Sequence, residues 1–130
     1  MVATGVVRPD QEVTVMPQVG GQIVSMSERL IPGGRFAAGE VMAQIDPRDY
    51  QLSVQQAESQ LAQAQTEFQL EEGRQVTAAR EWALVGDDRP TSEAAMALRA
   101  PQKAQAERSL LSARAGLSQA QLSLSRTSLT

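Results

Sequence analysis

Few side chains in this 130-residue sequence could carry out chemistry. His and Cys are both absent, so the usual general base, the thiolate nucleophile and the commonest zinc ligands are missing. Asp46 and Asp49 could form a general acid and base pair, but both flank a Pro turn at a helix start, where carboxylates stabilise the helix N-terminus. We interpret them as capping residues. The sequence also has no phosphate-binding Gly motif, and it predicts that the protein is not an enzyme.

Three methionines could bind Cu(I), because thioether ligands are soft. Met16, Met26 and Met42 lie on or beside predicted strands. Methionine is more often a gap-filling residue in a core or strand, and Met42 falls on the face opposite its apolar neighbours. We therefore expect no metal site and no cofactor.

The charge distribution argues against nucleic acid as a partner. The net charge is −3, with eleven Arg and a single Lys, and the basic residues are not in excess. No run of about eighteen apolar residues is present either, so the sequence predicts no membrane-spanning helix and no export signal within this chain.

Residues 1–46 have a composition typical of turns and short strands. They hold six of the nine Gly and three of the six Pro. Apolar and polar residues alternate, which predicts strands with one buried face. The apolar strand positions are Val13 and Val15, then Ile23 and Val24, then Val41, Ala43 and Ile45.

Residues 48–86 predict a long helix, since they contain no Pro and many Ala, Gln, Glu and Leu. One face carries apolar residues at the alternating spacing of four and three that defines a heptad repeat, and such a seam requires a partner helix. Further along the helix, the residues at the same heptad positions are more polar. Gly73 also lowers the stability of the helix by about 1 kcal/mol relative to Ala. The seam consists of Tyr50, Val54, Ala57, Leu61, Ala64 and Phe68, with a weaker continuation at Glu71, Gln75, Ala78 and Trp82.

A cluster of Gly, Asp and Pro at residues 86–90 separates this helix from a second one that carries a matching seam. Two such helices are expected to lie antiparallel as an αα-hairpin, with its tip at residues 86–91. Pro101 either kinks the second helix or splits it, with Pro101 in a new first turn. We favour the kink. The second seam consists of Ala106, Leu110, Ala113, Leu117, Ala120, Leu124 and Thr127.

The charges of the two arms favour the same pairing. Residues 47–86 carry a net charge of −3 and residues 91–130 a net charge of +3. Exposed ion pairs contribute only tenths of a kcal/mol each, so the seam must supply most of the stability. If the hairpin is symmetric about residue 89, Leu61 and Leu117 are neighbours.

The predicted fold class is therefore α+β: a long antiparallel coiled-coil hairpin at residues 47–130, attached to a small, incomplete β domain at residues 1–46. This order of elements resembles the periplasmic adaptor subunits, or membrane fusion proteins, of Gram-negative tripartite efflux pumps. The resemblance implies that residues 1–46 are the first half of a lipoyl-like domain whose second half follows this chain, which is expected to be a fragment. Four stretches carry the resemblance: VGGQIV at residues 19–24, GEVMAQIDPRDY at residues 39–50, the Ala/Gln/Leu hairpin, and LSLSRT at residues 122–127.

The resemblance implies a non-enzymatic adaptor of the periplasm, tethered to the inner membrane through parts outside this chain. Its implied partners are an inner-membrane efflux transporter of the resistance-nodulation-division (RND) type, an outer-membrane channel protein, and further copies of itself in a ring, expected to be a hexamer. One alternative is an adaptor of the same architecture in a type I (ABC) secretion or export system. Another is a structural coiled-coil protein with a β cap.

A carrier domain is a further alternative with a similar strand pattern. Lipoyl and biotinyl carrier domains attach their cofactor to a Lys at the tip of a β hairpin. The single Lys of this chain is Lys103, in the helical part. Residues 1–46 therefore cannot carry a lipoyl or biotinyl group.

Hairpins of the adaptor family often carry, near the tip, an Arg, a Leu four residues later and a hydroxyl residue seven residues after that. The resemblance assigns these positions to docking on the outer-membrane channel. Here they are Arg80, Leu84 and Thr91, with Thr in place of the more usual Ser. A guanidinium donates a fork of hydrogen bonds, and Leu supplies an apolar anchor. The alternatives are an Arg on a solvated face, a Leu that closes the tip, and a Thr that caps the second helix.

Overall fold

The computed structural model describes residues 1–85, 93, 94, 96 and 98–130. In chain order its elements are β1 (Ile23–Met26), β2 (Ala43–Ile45), α1 (Arg48–Val85), α2 (Ala100–Ser125) and β3 (Ser128–Leu129). The α+β class is confirmed: a small antiparallel sheet continues into two helices that pack on each other as an antiparallel hairpin.

The central strand of the sheet is β2. On one side Ile45 lies opposite Ile23 of β1, and on the other side Ala43 lies opposite Leu129 of β3. Ala43 and Ile45 are buried, as the alternating pattern predicts. The chain thus enters the hairpin from β2 and returns to the neighbouring strand. Ser128 and Leu129, which the sequence places in the helical part, pair with this sheet.

The loop between β1 and β2 is closed by glycines and by one carboxylate. Gly33 and Gly39 have φ values of 86° and 82°, which a residue with a Cβ atom rarely adopts. Glu40 accepts hydrogen bonds from the Arg29 guanidinium at 2.8 Å and from the Ala37 backbone N–H at 3.0 Å. These contacts fix the reversal that brings β2 beside β1.

The strand predicted around Val13 and Val15 is wrong, because these residues have no strand assignment and are 81% and 54% exposed. An alternating pattern selects one face for burial, but a strand also needs a neighbouring backbone for its hydrogen bonds. No described residue forms a strand ladder with this segment.

Both predicted heptad seams are confirmed by the burial pattern. Every described residue at a seam position is buried or half-buried, whereas the positions between them are mostly exposed. Ala57, Ala64 and Leu110 are the most buried apolar residues of the hairpin. The small side chains of Ala57 and Ala64 let the two helices approach closely, so the core is a narrow strip along the contact.

The register of the hairpin differs from the expected one. Glu71 contacts Arg99 and Gln44 contacts Ser128, and these two pairs have midpoints at residues 85 and 86 rather than 89. Leu61 is 25 residues before residue 86, and residue 111, next to the buried Leu110, is 25 residues after it. The expectation that Leu61 and Leu117 are neighbours is therefore wrong by about one heptad. The length of the tip sets the centre of the hairpin, and the repeat pattern does not reveal that length.

The kink that we favoured at Pro101 is also wrong, and the split occurs instead. The helix α2 begins at Ala100, with Pro101 in its first turn, after a turn at Leu98 and Arg99. The first turn tolerates Pro because its N–H groups have no acceptor within the helix. In a continuous helix, the ring of Pro101 would clash with the carbonyl of residue 97.

Candidate functional site

The base of the hairpin is joined to the sheet by polar contacts. Asp46 accepts a hydrogen bond from the Arg48 backbone N–H at 3.1 Å and two from the Arg48 Nε atom at 3.0 Å. These hydrogen bonds from Arg48 hold the pKa of the Asp46 carboxyl below its ordinary value. Asp46 is therefore a charged group at the start of α1, which agrees with the capping role rather than with proton transfer. Nearby, the Tyr50 hydroxyl donates to the Gly20 carbonyl at 2.6 Å.

The predicted docking residues Arg80 and Leu84 lie in the last two turns of α1. Both are exposed, and Leu84 is 87% exposed. They are four residues apart, so their side chains are neighbours on one face of the helix. Arg80 follows the seam residue Ala78 by two residues, and Leu84 follows the seam residue Trp82 by two. A step of two residues is a rotation of about 200° around the helix axis. The pair therefore lies on the face of α1 opposite its seam, while Thr91, the third predicted docking residue, lies outside the described residues.

The arrangement of Arg80 and Leu84 suits contact with another helix. No described residue forms a salt bridge with Arg80. Its guanidinium can donate to carbonyl or carboxylate oxygens of a partner. Leu84 offers apolar surface that α1 does not cover. A single exposed Leu is common on protein surfaces, so only the combination and its position on the hairpin distinguish this pair.

A polar cluster that the sequence did not reveal lies between the arms, near the distal end of the hairpin. Glu71 occupies a seam position of α1 and is only 6% exposed. The Arg99 guanidinium donates to both carboxylate oxygens of Glu71, from Nε to Oε1 and from Nη2 to Oε2, the latter at 3.0 Å. Arg74 approaches the same carboxylate at 3.6 Å. The hydrogen bonds from Arg99, and to a lesser degree the charges of Arg99 and Arg74, lower the pKa of the Glu71 carboxyl.

Lys103 and Phe68 extend this cluster towards the base. The Lys103 Nζ atom lies 3.5 Å from a Glu72 carboxylate oxygen and 5.9 Å from the centre of the Phe68 ring. This amine is therefore paired with an acid and an aromatic face. The only signal in the sequence was an acidic residue at a seam position of one arm, opposite an arm that is rich in Arg.

An open groove runs along the distal part of the hairpin beside Glu71. Gly73 leaves its floor without a side chain, and no atom lies within 4 Å of the place where a Cβ would be. Met96, on the returning segment, is 68% exposed at its rim. The groove is lined by Gln69, Leu70, Gly73, Arg74, Thr77, Ala78, Glu81, Met96 and Arg99.

The three methionines considered as metal ligands are placed differently from one another. Met26 lies in β1 and is 57% exposed, Met16 lies before the sheet and is 74% exposed, and Met42 is half-buried. Within residues 1–85, 93, 94, 96 and 98–130, no group of three or more Asp and Glu side chains is arranged to hold a metal ion. Nor is any helix in this described part of the chain long and apolar enough to cross a membrane.

A small antiparallel sheet with a long helical hairpin that leaves from one strand and returns to the next is the architecture that the resemblance to membrane fusion adaptor proteins implies. Comparison with protein families agrees with this class. The family model for the RND membrane fusion protein, barrel-sandwich hybrid domain, matches residues 11–88, which is more than half of the chain. The chain therefore belongs to the RND-type membrane fusion protein family.

Three curated relatives share sequence with this chain. The multidrug resistance protein MdtA of Pantoea ananatis is 39% identical over 61 residues, which cover 47% of this chain and 14% of that protein. MdtA of Erwinia amylovora is 40% identical over 58 residues, 45% of this chain and 14% of that protein. MdtA of Yersinia enterocolitica is 39% identical over 61 residues, 47% of this chain and 13% of that protein. The chain thus matches about one seventh of the length of each relative.

Proposed function

We propose that this chain is part of a periplasmic adaptor that links an inner-membrane RND-type efflux transporter to an outer-membrane channel. The observation that carries the proposal is the family match over residues 11–88, which includes β1, β2 and the whole of α1. The relatives are named multidrug resistance proteins, which supports drug efflux as the process that the adaptor serves. The proposed role is mechanical and involves no catalysis.

The dimensions of the hairpin suit a bridging role. The 38 residues of α1 span about 57 Å at 1.5 Å per residue. Both ends of the hairpin join the same sheet, since β2 precedes α1 and β3 follows α2. A partner bound at the distal end would therefore lie about 57 Å from whatever holds the sheet. In the complete assembly we propose that several copies form a ring, as a hexamer, around the path of the substrate.

The match to an RND-type domain favours an RND transporter as the inner-membrane partner over the ABC transporter of a type I system. It also favours an adaptor over a free structural coiled coil. Nucleic acid is not a proposed partner, because the net charge of −3 repels phosphate groups.

We propose that Arg80, Leu84 and Thr91 dock on the outer-membrane channel. Arg80 and Leu84 are exposed together on the face of α1 opposite its seam, near the distal end of this helix. The contact area at the end of a hairpin is small, so a few anchor residues should supply most of the binding energy. Loss of the Arg80 donor would leave a partner group unpaired, at a cost of about 2 to 5 kcal/mol. A fully buried Leu84 would contribute about 1.5 to 3 kcal/mol.

The test is a drug-susceptibility assay in a strain whose only matching adaptor is the full-length protein. The variant Arg80→Asp with Leu84→Ser should lose efflux while it keeps normal abundance and helicity, because both side chains lie outside the seam. A matched control is Arg114→Asp with Leu111→Ser, which makes the same changes at exposed positions of α2 nearer the sheet. The control should retain efflux. Undiminished efflux in the Arg80 and Leu84 variant, at normal abundance, would show that these residues do not dock the channel.

A further inference from the structure

Arg99 has an unusual backbone conformation. Its φ and ψ angles are 57° and 29°, and it is the only residue other than Gly with a positive φ in the described part of the chain. A side chain with a Cβ atom disfavours this left-handed conformation because the Cβ approaches the following carbonyl. Some interaction elsewhere must compensate for it.

Arg99 stands where one helical segment ends and another begins. The Leu98 N–H donates to the Ala94 carbonyl at 2.8 Å, and the Arg99 N–H donates to the Met96 carbonyl at 3.1 Å, which close the turn before the break. After the break, the Arg99 carbonyl accepts from the Lys103 N–H at 3.0 Å, the first intrahelical bond of α2. Pro101 makes a break necessary, but Pro alone does not set the direction of the preceding segment.

Glu71 supplies the missing constraint. Its carboxylate accepts two hydrogen bonds from the Arg99 guanidinium, and the planar fork fixes the orientation of the side chain. Among the described residues no side-chain hydrogen bond caps the start of α2, so the contact with α1 is what restrains Arg99. The other charged groups nearby are Arg74, on the same carboxylate, and the pair formed by Lys103 and Glu72.

We propose that the Glu71 and Arg99 ion pair is a conformational lock that holds the break in the second arm. With the ion pair formed, Arg99 stays left-handed and the turn at Leu98 and Arg99 is held against α1. Without the ion pair, this turn opens, while the seam nearer the sheet remains paired. The lock thereby determines the direction in which α2 begins relative to α1. This inference concerns the fold of the hairpin and does not depend on what the hairpin binds.

The lock is tested by amide hydrogen exchange on the full chain. In Glu71→Gln, which keeps the shape and removes the charge, the amides of Leu98, Arg99 and Lys103 should exchange about tenfold faster or more, because hydrogen bonds to charged groups are among the strongest in proteins. The amide of Ile45 in the sheet and those of residues 54–64 should change less than about twofold, since distant sites are energetically independent. Glu58→Gln removes the same charge from an exposed position of the same helix and should change neither group.

A second variant separates the side chain from the backbone. In Arg99→Gly the left-handed conformation is easily adopted, but the guanidinium is absent. The lock predicts faster exchange of the Leu98 and Lys103 amides in this variant as well. Unchanged exchange there would mean that the backbone alone holds the break, and would overturn the proposal. So would a Glu71→Gln result in which exchange is unchanged, or in which it rises equally in the sheet and along the whole hairpin.

Discussion

Replacing Gly21 by Ala should destabilise the sheet, because the new methyl group would overlap the side chain of Ile45. A Cβ atom built on Gly21 lies 2.5 Å from the Cγ2 atom of Ile45, whereas carbon atoms in contact prefer about 3.5 to 4.0 Å. Ile45 is only 2% exposed and β-branched, so it has little freedom to rotate away. Overpacking of this kind costs about 1 to 3 kcal/mol.

The backbone of Gly21 adds a second cost. Its φ of 149° is strained for any residue with a Cβ atom, by about 1 to 3 kcal/mol. Together the two effects should lower the free energy of unfolding of the Gly21→Ala variant by about 2 to 6 kcal/mol. Urea unfolding followed by far-ultraviolet circular dichroism would measure this change.

A double-mutant cycle isolates the overlap from the backbone strain. Ile45→Ala removes Cγ2 and costs about 2 to 5 kcal/mol alone, but combined with Gly21→Ala it should destabilise by about 1 to 3 kcal/mol less than the sum. Ile45→Val is the matched control, since it keeps the Cγ2 methyl group and should give no relief. If the Gly21 and Ile45→Ala effects add within about 0.5 kcal/mol, or if Ile45→Val relieves the strain equally, the two residues do not overlap as described.

Two further predictions concern the hairpin. Cysteines placed at Leu61 and Leu110 should cross-link within one chain under oxidation, whereas cysteines at Leu61 and Leu117 should not, because seven residues along a helix are about 10.5 Å and a disulfide needs Cα atoms within about 7 Å. Efficient cross-linking of 61 to 117 alone would refute the register. Gly116→Ala should raise the free energy of unfolding by about 0.5 to 1 kcal/mol, because Gly116 lies inside α2 with no atom within 4 Å of its Cβ position. A lower thermal midpoint would contradict this result.

The helical part of the fold was predictable because a heptad pattern is local. Each seam position is defined by neighbours three or four residues away, so the buried faces of both arms follow from the sequence without knowledge of what they pack against. The register of one arm against the other has no such local signal. Leu110 and Leu117 occupy equivalent positions in the repeat, and only contacts between distant residues distinguish them.

The sheet was predictable only in part. Ala43 and Ile45 show their buried face by alternation, but Ser128 and Leu129 form a strand of two residues that has no pattern of its own. Their assignment depends on the Met42 N–H, which donates to the Leu129 carbonyl at 2.7 Å, and on the Ile45 N–H, which donates to the Thr127 carbonyl at 2.8 Å. These hydrogen bonds join residues more than 80 positions apart. A local sequence pattern cannot reveal a pairing over that separation.

The candidate docking pair was predictable from its spacing, since Arg80 and Leu84 had to share a face of any helix that contained them. The Glu71 and Arg99 cluster was not. From the sequence alone, an acidic residue at a seam position is expected to weaken the packing of the repeat. Only the register of the two arms shows that Arg99 lies opposite Glu71. The conformation of Arg99 depends in turn on Pro101, which the sequence allowed to act in two ways.

The hairpin leaves the sheet from β2 and returns to it at β3, the strand next to β2. Because the two helices occupy the connection between adjacent antiparallel strands, the sheet constrains only the two ends of that connection, and the entropy of closing a connection grows slowly with its length. One heptad added to each arm would preserve both seams and leave the strand pairing unchanged. Each such addition would move the distal end about 10.5 Å further from the sheet. The length of the hairpin can therefore change in steps of one heptad without any change in the sheet that carries it.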